Sequence, residues 1–175
     1  HTGDILEQDT DGYLRVVDRK KELIINAAGK NMSPANIENA ILAACPMIGA
    51  MVTIGDARPY NTALMVFDAD SVAPYAAQHG LDASPAALAA DPAVIAQIAA
   101  GVAGGNAKLS RVEQLKRFRV LPTLWEPGGE EVTLTMKLKR RPIAAKYAAE
   151  IEELYAPEPG PQVHEPGAAQ PIPSA

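Results

Sequence analysis

Lys137 ends the run Thr133-Leu134-Thr135-Met136-Lys137 and opens a cluster of cations completed by Lys139, Arg140 and Arg141. An ammonium on a long stem is a compact point charge, suited to bridging oxygens that carry negative charge. Asp4, in Thr2-Gly3-Asp4, is a carboxylate that could accept hydrogen bonds from both vicinal hydroxyls of a ribose at once. Asp18 is followed by three consecutive cations, Arg19, Lys20 and Lys21, and then by the apolar Leu23, Ile24 and Ile25. The small-residue loop Ala27-Ala28-Gly29 comes next, and Gly29 admits a positive φ. On residue types alone each position also has a plain reading. These are a solvated basic face at 137–141, a polar start to an edge strand at Asp4, an Asp18–Arg19 ion pair, and a simple turn at Gly29.

Other chemistries find no support. The single Cys45 cannot form an internal disulfide and, with three histidines, offers no zinc cluster. The chain has no catalytic triad, no P-loop and no dinucleotide glycine fingerprint. His1, His79 and His164 read as solvent-exposed rather than catalytic. A net charge of −5 with 47% hydrophobic residues describes a soluble globular chain and argues against a nucleic-acid partner. No apolar run has the length of a membrane span and no signal peptide opens the chain, so a reducing, cytoplasmic setting fits. At 175 residues, one domain with a real core is expected.

The elements that must position these residues follow from local pattern. Residues 4–18 read as a hairpin turning at Asp11-Gly12. A strand leaves the charged joint and enters the Gly29 loop. Ser33-Pro34 then starts a helix over 34–44, with Ile37, Ala40, Ile41 and Ala44 on one face. The runs 48–55 and 63–68 should pair as central strands across the turn at 56–61. An alanine-rich stretch follows: a helix over 72–79 closed by Gly80, a short one capped by Ser84-Pro85, and a longer one from Asp91-Pro92. Gly101, Gly104 and Gly105 each cost about 1 kcal/mol in a helix, which predicts a weak middle for the long one. Residues 114–121 form another strand and 122–131 a loop in which Trp125 covers a core edge. Pro142 opens a last helix striped by Ile143, Tyr147, Ile151, Leu154 and Tyr155. The Pro/Gly-rich segment beyond Pro157 reads as disordered.

Three segments, Thr2-Gly3-Asp4, DRKKELIINAAGKNMSPANIE from Asp18, and TLTMKLKRR over 133–141, stand in a telling order and spacing. In this the chain resembles the C-terminal part of the adenylate-forming enzymes, specifically long-chain fatty-acid–CoA ligases, from His1 to about Tyr155. The resemblance implies an α+β fold, with an N-terminal hairpin before a hinge and then a small sheet flanked by helices. It divides the chain into a pre-hinge segment (1–20), a mobile lid (21–156) and a tail (157–175). It further implies a piece of a larger enzyme, inactive alone and holding no ligand tightly, whose missing N-terminal domain is its partner. The intact enzyme would use fatty acid, ATP, coenzyme A and magnesium, with any membrane association left to the missing domain.

The family's roles fall on matching positions. Lys137 is the lysine that supports adenylation, Asp4 and Arg19 reach the nucleotide ribose, and Lys21 is the hinge. Gly29 lines the coenzyme A channel once the lid has rotated, and no metal ligand is expected. The sequence departs from the family's pattern in three places. Leu134 replaces the usual proline, Met136 replaces the glycine of shorter-chain relatives, and the Gly29 loop is one residue longer than in luciferase-like members. No role is therefore carried onto Lys30 or Asn31. Two alternatives stay open: the lid of a fatty acyl-AMP ligase serving a carrier protein, and a non-catalytic basic interaction module. The last would keep all four cations of 137–141 on one exposed face.

Overall fold

The chain begins with an antiparallel hairpin of β1 (Asp4–Gln8) and β2 (Leu14–Arg19), whose register sets Asp4 opposite Arg19. The computed structural model describes residues 4–8, 14–19 and 23–167, so the Asp11-Gly12 turn and Lys21 lie outside the described residues. A second, two-residue hairpin, β3 (Ile24–Ile25) with β4 (Asn31–Met32), carries the Gly29 loop. It runs straight into α1 (Pro34–Ala44). There the Ser33 hydroxyl accepts from the Asn36 N–H and Pro34 occupies the first turn, as the sequence predicts.

The main sheet has the order β5-β6-β7. β5 (Ile48–Ile54) and β6 (Asn61–Phe67) are antiparallel, and β7 (Leu115–Val120) runs parallel to β6. A parallel neighbour needs a long crossover. Helices α2 (Ala69–His79), α3 (Pro85–Ala90) and α4 (Pro92–Asn106) supply it. Every residue of β6 is buried, because helices cover both faces of the sheet. Met65 and Phe67 pack in one core with Ile37 and Ile41 of α1 and Ile98 and Val102 of α4. Leu64 and Val66 face the other way. They pack with Trp125, Val132 and the buried side chains of α5 (Arg140–Lys146) and α6 (Ala148–Tyr155).

Three expectations need correction. The long helix runs unbroken through its glycines, two of which are needed where α4 crosses α1. A Cβ on Gly105 would stand 2.8 Å from the Ile41 Cα, and one on Gly101 would stand 2.9 Å from the Cys45 Cβ. The last helix starts two residues before Pro142, which its first turn tolerates, and is interrupted at Tyr147 (φ −105°, ψ 30°). Its apolar stripe is unchanged, with Ile143, Tyr147, Ile151 and Leu154 all buried. The third correction concerns the segment after Pro157, which is ordered through residue 167. Phe118 and His164 exchange both backbone hydrogen bonds (2.9 and 2.8 Å), so this strap pairs antiparallel to the outer side of β7. Residues 168–175 lie outside the described ones. No helix of the described residues is long and apolar enough to cross a membrane.

Candidate functional site

Lys137 sits on a short excursion between the 122–131 loop and α5. The Val132–Leu138 bridge closes its foot, and the Thr133 N–H donates to the Lys137 carbonyl at 2.9 Å. Within the tip the Lys137 N–H donates to the Thr133 hydroxyl (3.1 Å), which lies 3.1 Å from that of Thr135. The two threonines therefore hold the turn from inside. Met136 adopts φ +60°, the left-handed conformation for which the glycine of shorter-chain members is suited. Leu134, where the family's proline is usual, is 82% exposed at the tip. Lys137 is exposed, and its ammonium has no hydrogen bond or ion pair among the described residues.

Two of the neighbouring cations, Lys139 and Arg140, are engaged. The Lys139 ammonium donates to the Gly129 carbonyl at 2.7 Å, and its N–H to the Glu131 carbonyl at 2.7 Å. Arg140 sends both arms of its guanidinium to Glu38 on α1. An interaction module needing all four cations on one free face does not fit, since Lys139 is tied to the 122–131 loop and Arg140 to α1. Glu131 steadies the same foot. Burial works against its charge, yet hydrogen bonds from Lys146 and Tyr147 hold its carboxyl below the usual range. Trp125 covers this corner as expected and donates to the Tyr147 hydroxyl.

Gly29 lies at φ +74° on the exposed β3–β4 loop, where its N–H donates to the Asn26 carbonyl at 2.9 Å. The Asn26 side chain accepts from the N–H groups of Ala28 and Lys30, shaping the turn. The loop hangs on the β5–β6 turn: the Ala27 N–H donates to the Arg58 carbonyl and the Ala57 N–H to the Ile25 carbonyl. Arg58 in turn pairs with Glu152 on α6 and stacks 4.5 Å over the Tyr155 ring. A Cβ on Gly29 would meet nothing within 4 Å. Within this domain, then, only its φ calls for glycine.

The feet of the two loops border one groove of about 730 Å³, Leu23 and Ile24 from one side, Leu138 and Lys139 from the other. No hydrogen bond or ion pair joins Lys137 to Gly29. Asp4 and Arg19 stand opposite each other in the β1–β2 register. Cys45 is buried, and burial pushes its thiol up to about 11, so it is no nucleophile. No group of three His, Cys, Asp or Glu among the described residues could hold a metal ion.

The model of the AMP-binding enzyme C-terminal domain matches residues 21–159. The chain belongs to that family. Its C-terminal-domain relatives include a provisionally assigned fatty-acid–CoA ligase, FadD11 of Mycobacterium tuberculosis. That protein is 82% identical over 168 residues, 96% of this chain and 29% of the relative. The long-chain-fatty-acid–CoA ligase FadD15 of the same organism is 40% identical over 90% of this chain and 26% of its own length. The chain thus spans under a third of the curated relatives it matches. In fold it is similar to the adenylation domain of a carboxylate reductase from Mycobacterium chelonae. The TM-score is 0.62 at 22% identity, over 88% of this chain and 22% of that one.

Sequence reasoning reached Lys137 and Gly29 but missed Glu38 and Arg58, which hold their loops. Glu38 had a signal: it lies beside Ile37 and a turn before Ile41, on the apolar side of α1, where a charge needs a partner.

Proposed function

We propose that this domain is the moving lid of an ATP-dependent, AMP-forming long-chain fatty-acid–CoA ligase working in the cytoplasm. The observation that supports the reading best is that Lys137 is exposed on a fastened loop with no partner for its ammonium among the described residues, while Lys139 and Arg140 are engaged. In the first half-reaction a fatty carboxylate oxygen attacks the α-phosphorus of ATP, and pyrophosphate leaves with the electrons of the broken P–O bond. Two anions meet, so a cation placed between them lowers the barrier. Lys137 is that cation, while Asp4 and Arg19 hold the ribose. In the second half-reaction the coenzyme A thiol loses its proton and attacks the acyl carbon, expelling AMP. The lid has then pivoted at Lys21, which exchanges the Lys137 loop for the Gly29 loop. Magnesium would be held outside this chain.

The test places this chain in the matching region of the 82% identical relative and measures each half-reaction separately in the pre-steady state. Lys137→Ala should slow adenylation by about 10²–10³ while a supplied acyl-adenylate is still converted to acyl-CoA. Gly29→Trp should do the reverse. The 175-residue chain alone should show no ATP–pyrophosphate exchange. Equal loss of both steps in Lys137→Ala would remove the assignment.

A further inference from the structure

β5 is an edge strand of the main sheet, and one side chain from each covering layer meets there. Glu38, on α1, is 6% exposed and accepts from the Thr53 N–H of β5 at 2.8 Å. Its two oxygens also take the Arg140 guanidinium at 2.7 and 2.8 Å. Arg140 is the first residue of α5 and stands three residues beyond Lys137. A two-armed guanidinium–carboxylate pair fixes orientation as well as distance. The Lys139 bonds to Gly129 and Glu131 stay within residues 122–139, and those that Glu131 takes from Lys146 and Tyr147 tie the foot to the end of α5 in its own layer. The Glu38 pair reaches across the sheet edge to the layer that begins with the Gly29 hairpin.

We propose that Glu38 and Arg140 are a positioning pair for Lys137. They touch no substrate. They hold the loop's foot against α1, so that the tip, closed on itself by the Thr133–Lys137 bonds, presents its ammonium at one place when the lid covers the reacting oxygens. A shift of the foot carries the whole tip with it, and misplacement of about 1 Å can cost about 10²-fold in rate. This inference rests on Lys137 being the adenylation lysine.

Glu38→Gln keeps the volume and an oxygen for the Thr53 N–H but removes the charge, and Arg140→Lys keeps the charge but removes the second arm. In the same full-length chimera, each should slow adenylation about 10–100-fold with KM for ATP and fatty acid nearly unchanged. Conversion of supplied acyl-adenylate should stay normal. Arg140→Lys should retain more rate than Arg140→Gln. The decisive arm combines each variant with Lys137→Ala: a pair that acts through Lys137 adds no further loss once the lysine is gone. If the losses multiply, or both half-reactions fall together, the pair only stabilises the fold and the inference is overturned. If Glu38→Gln does not fold, Arg140→Lys carries the same comparison, and normal adenylation by it refutes the pair's role. Failure of the lysine reading is separate: Lys137→Ala alone would then leave adenylation intact.

Discussion

Met136 shows how a single residue's backbone explains a departure that side-chain reasoning could only note. In sequence it is a methionine where shorter-chain members carry glycine; in the structure its φ of +60° is the conformation that glycine would serve. A left-handed L-residue costs about 1–2 kcal/mol, while glycine loosens the unfolded chain by about 0.4–1 kcal/mol. Met136→Gly should therefore leave stability nearly level, whereas the β-branched Met136→Val should lower it by about 1 kcal/mol or more. Chemical denaturation of the three proteins orders them, and a Val variant as stable as the Gly variant would contradict the φ. Lys137 and Gly29 can be singled out in the sequence as candidates because family motifs mark their positions. Glu38 carried only the hint of an acid on the apolar side of α1, because the guanidinium that completes it lies 102 residues along the chain.

Elements were read well wherever their ends carry chemistry. Ser33-Pro34, Ser84-Pro85 and Asp91-Pro92 each cap the helix they announce. Contacts between elements were not legible, and α4 is the clear case. A one-dimensional reading sees three glycines and subtracts propensity, since what they admit belongs to α1. The structure separates them. A Cβ on Gly104 would lie 3.9 Å from the Ala44 Cβ, an ordinary contact, whereas on Gly105 it would strike the Ile41 backbone at 2.8 Å. The same substitution should thus change sign one residue apart. Gly104→Ala gains helix propensity and should stabilise by up to about 1 kcal/mol. Gly105→Ala gains the same but overpacks the crossing, at about 1–3 kcal/mol, and should destabilise on balance. Thermal unfolding measures both, and equal effects would mean that the helices do not cross this closely.

At the scale of the whole molecule, the α+β layering was expected from the resemblance, while the management of the sheet's two edges was not. An uncovered edge invites pairing with other chains. On the β5 side, Glu38 occupies one edge N–H; on the β7 side, the strap around His164 covers the strand. Composition marked that strap as disordered. However, Pro157, Pro159, Pro161 and Pro166 already restrict it when unfolded, so a few contacts suffice to order it. Those contacts are the two Phe118 bonds, the Arg117–Glu165 and Arg119–Gln162 pairs, and Val163 against the second core. Ending the chain at Ala156 should cost about 1–2 kcal/mol after the ordering entropy is returned, lowering the melting temperature by about 2–8 °C. Acid should mimic the truncation. Burial, and then the charge of Arg119, hold the His164 imidazole below its ordinary value, so the unfolded chain binds its proton more readily than the folded one. The stability this provides is complete above about pH 6.5 and is lost as pH falls below it. His164→Phe should keep the ring contact with Phe118 and remove that acid-side loss, leaving the carboxylate contributions at lower pH. The measurement is melting temperature between pH 5 and 8 for the wild-type chain, His164→Phe and the truncated chain. Identical pH slopes in all three would show that the strap does not depend on the neutral imidazole.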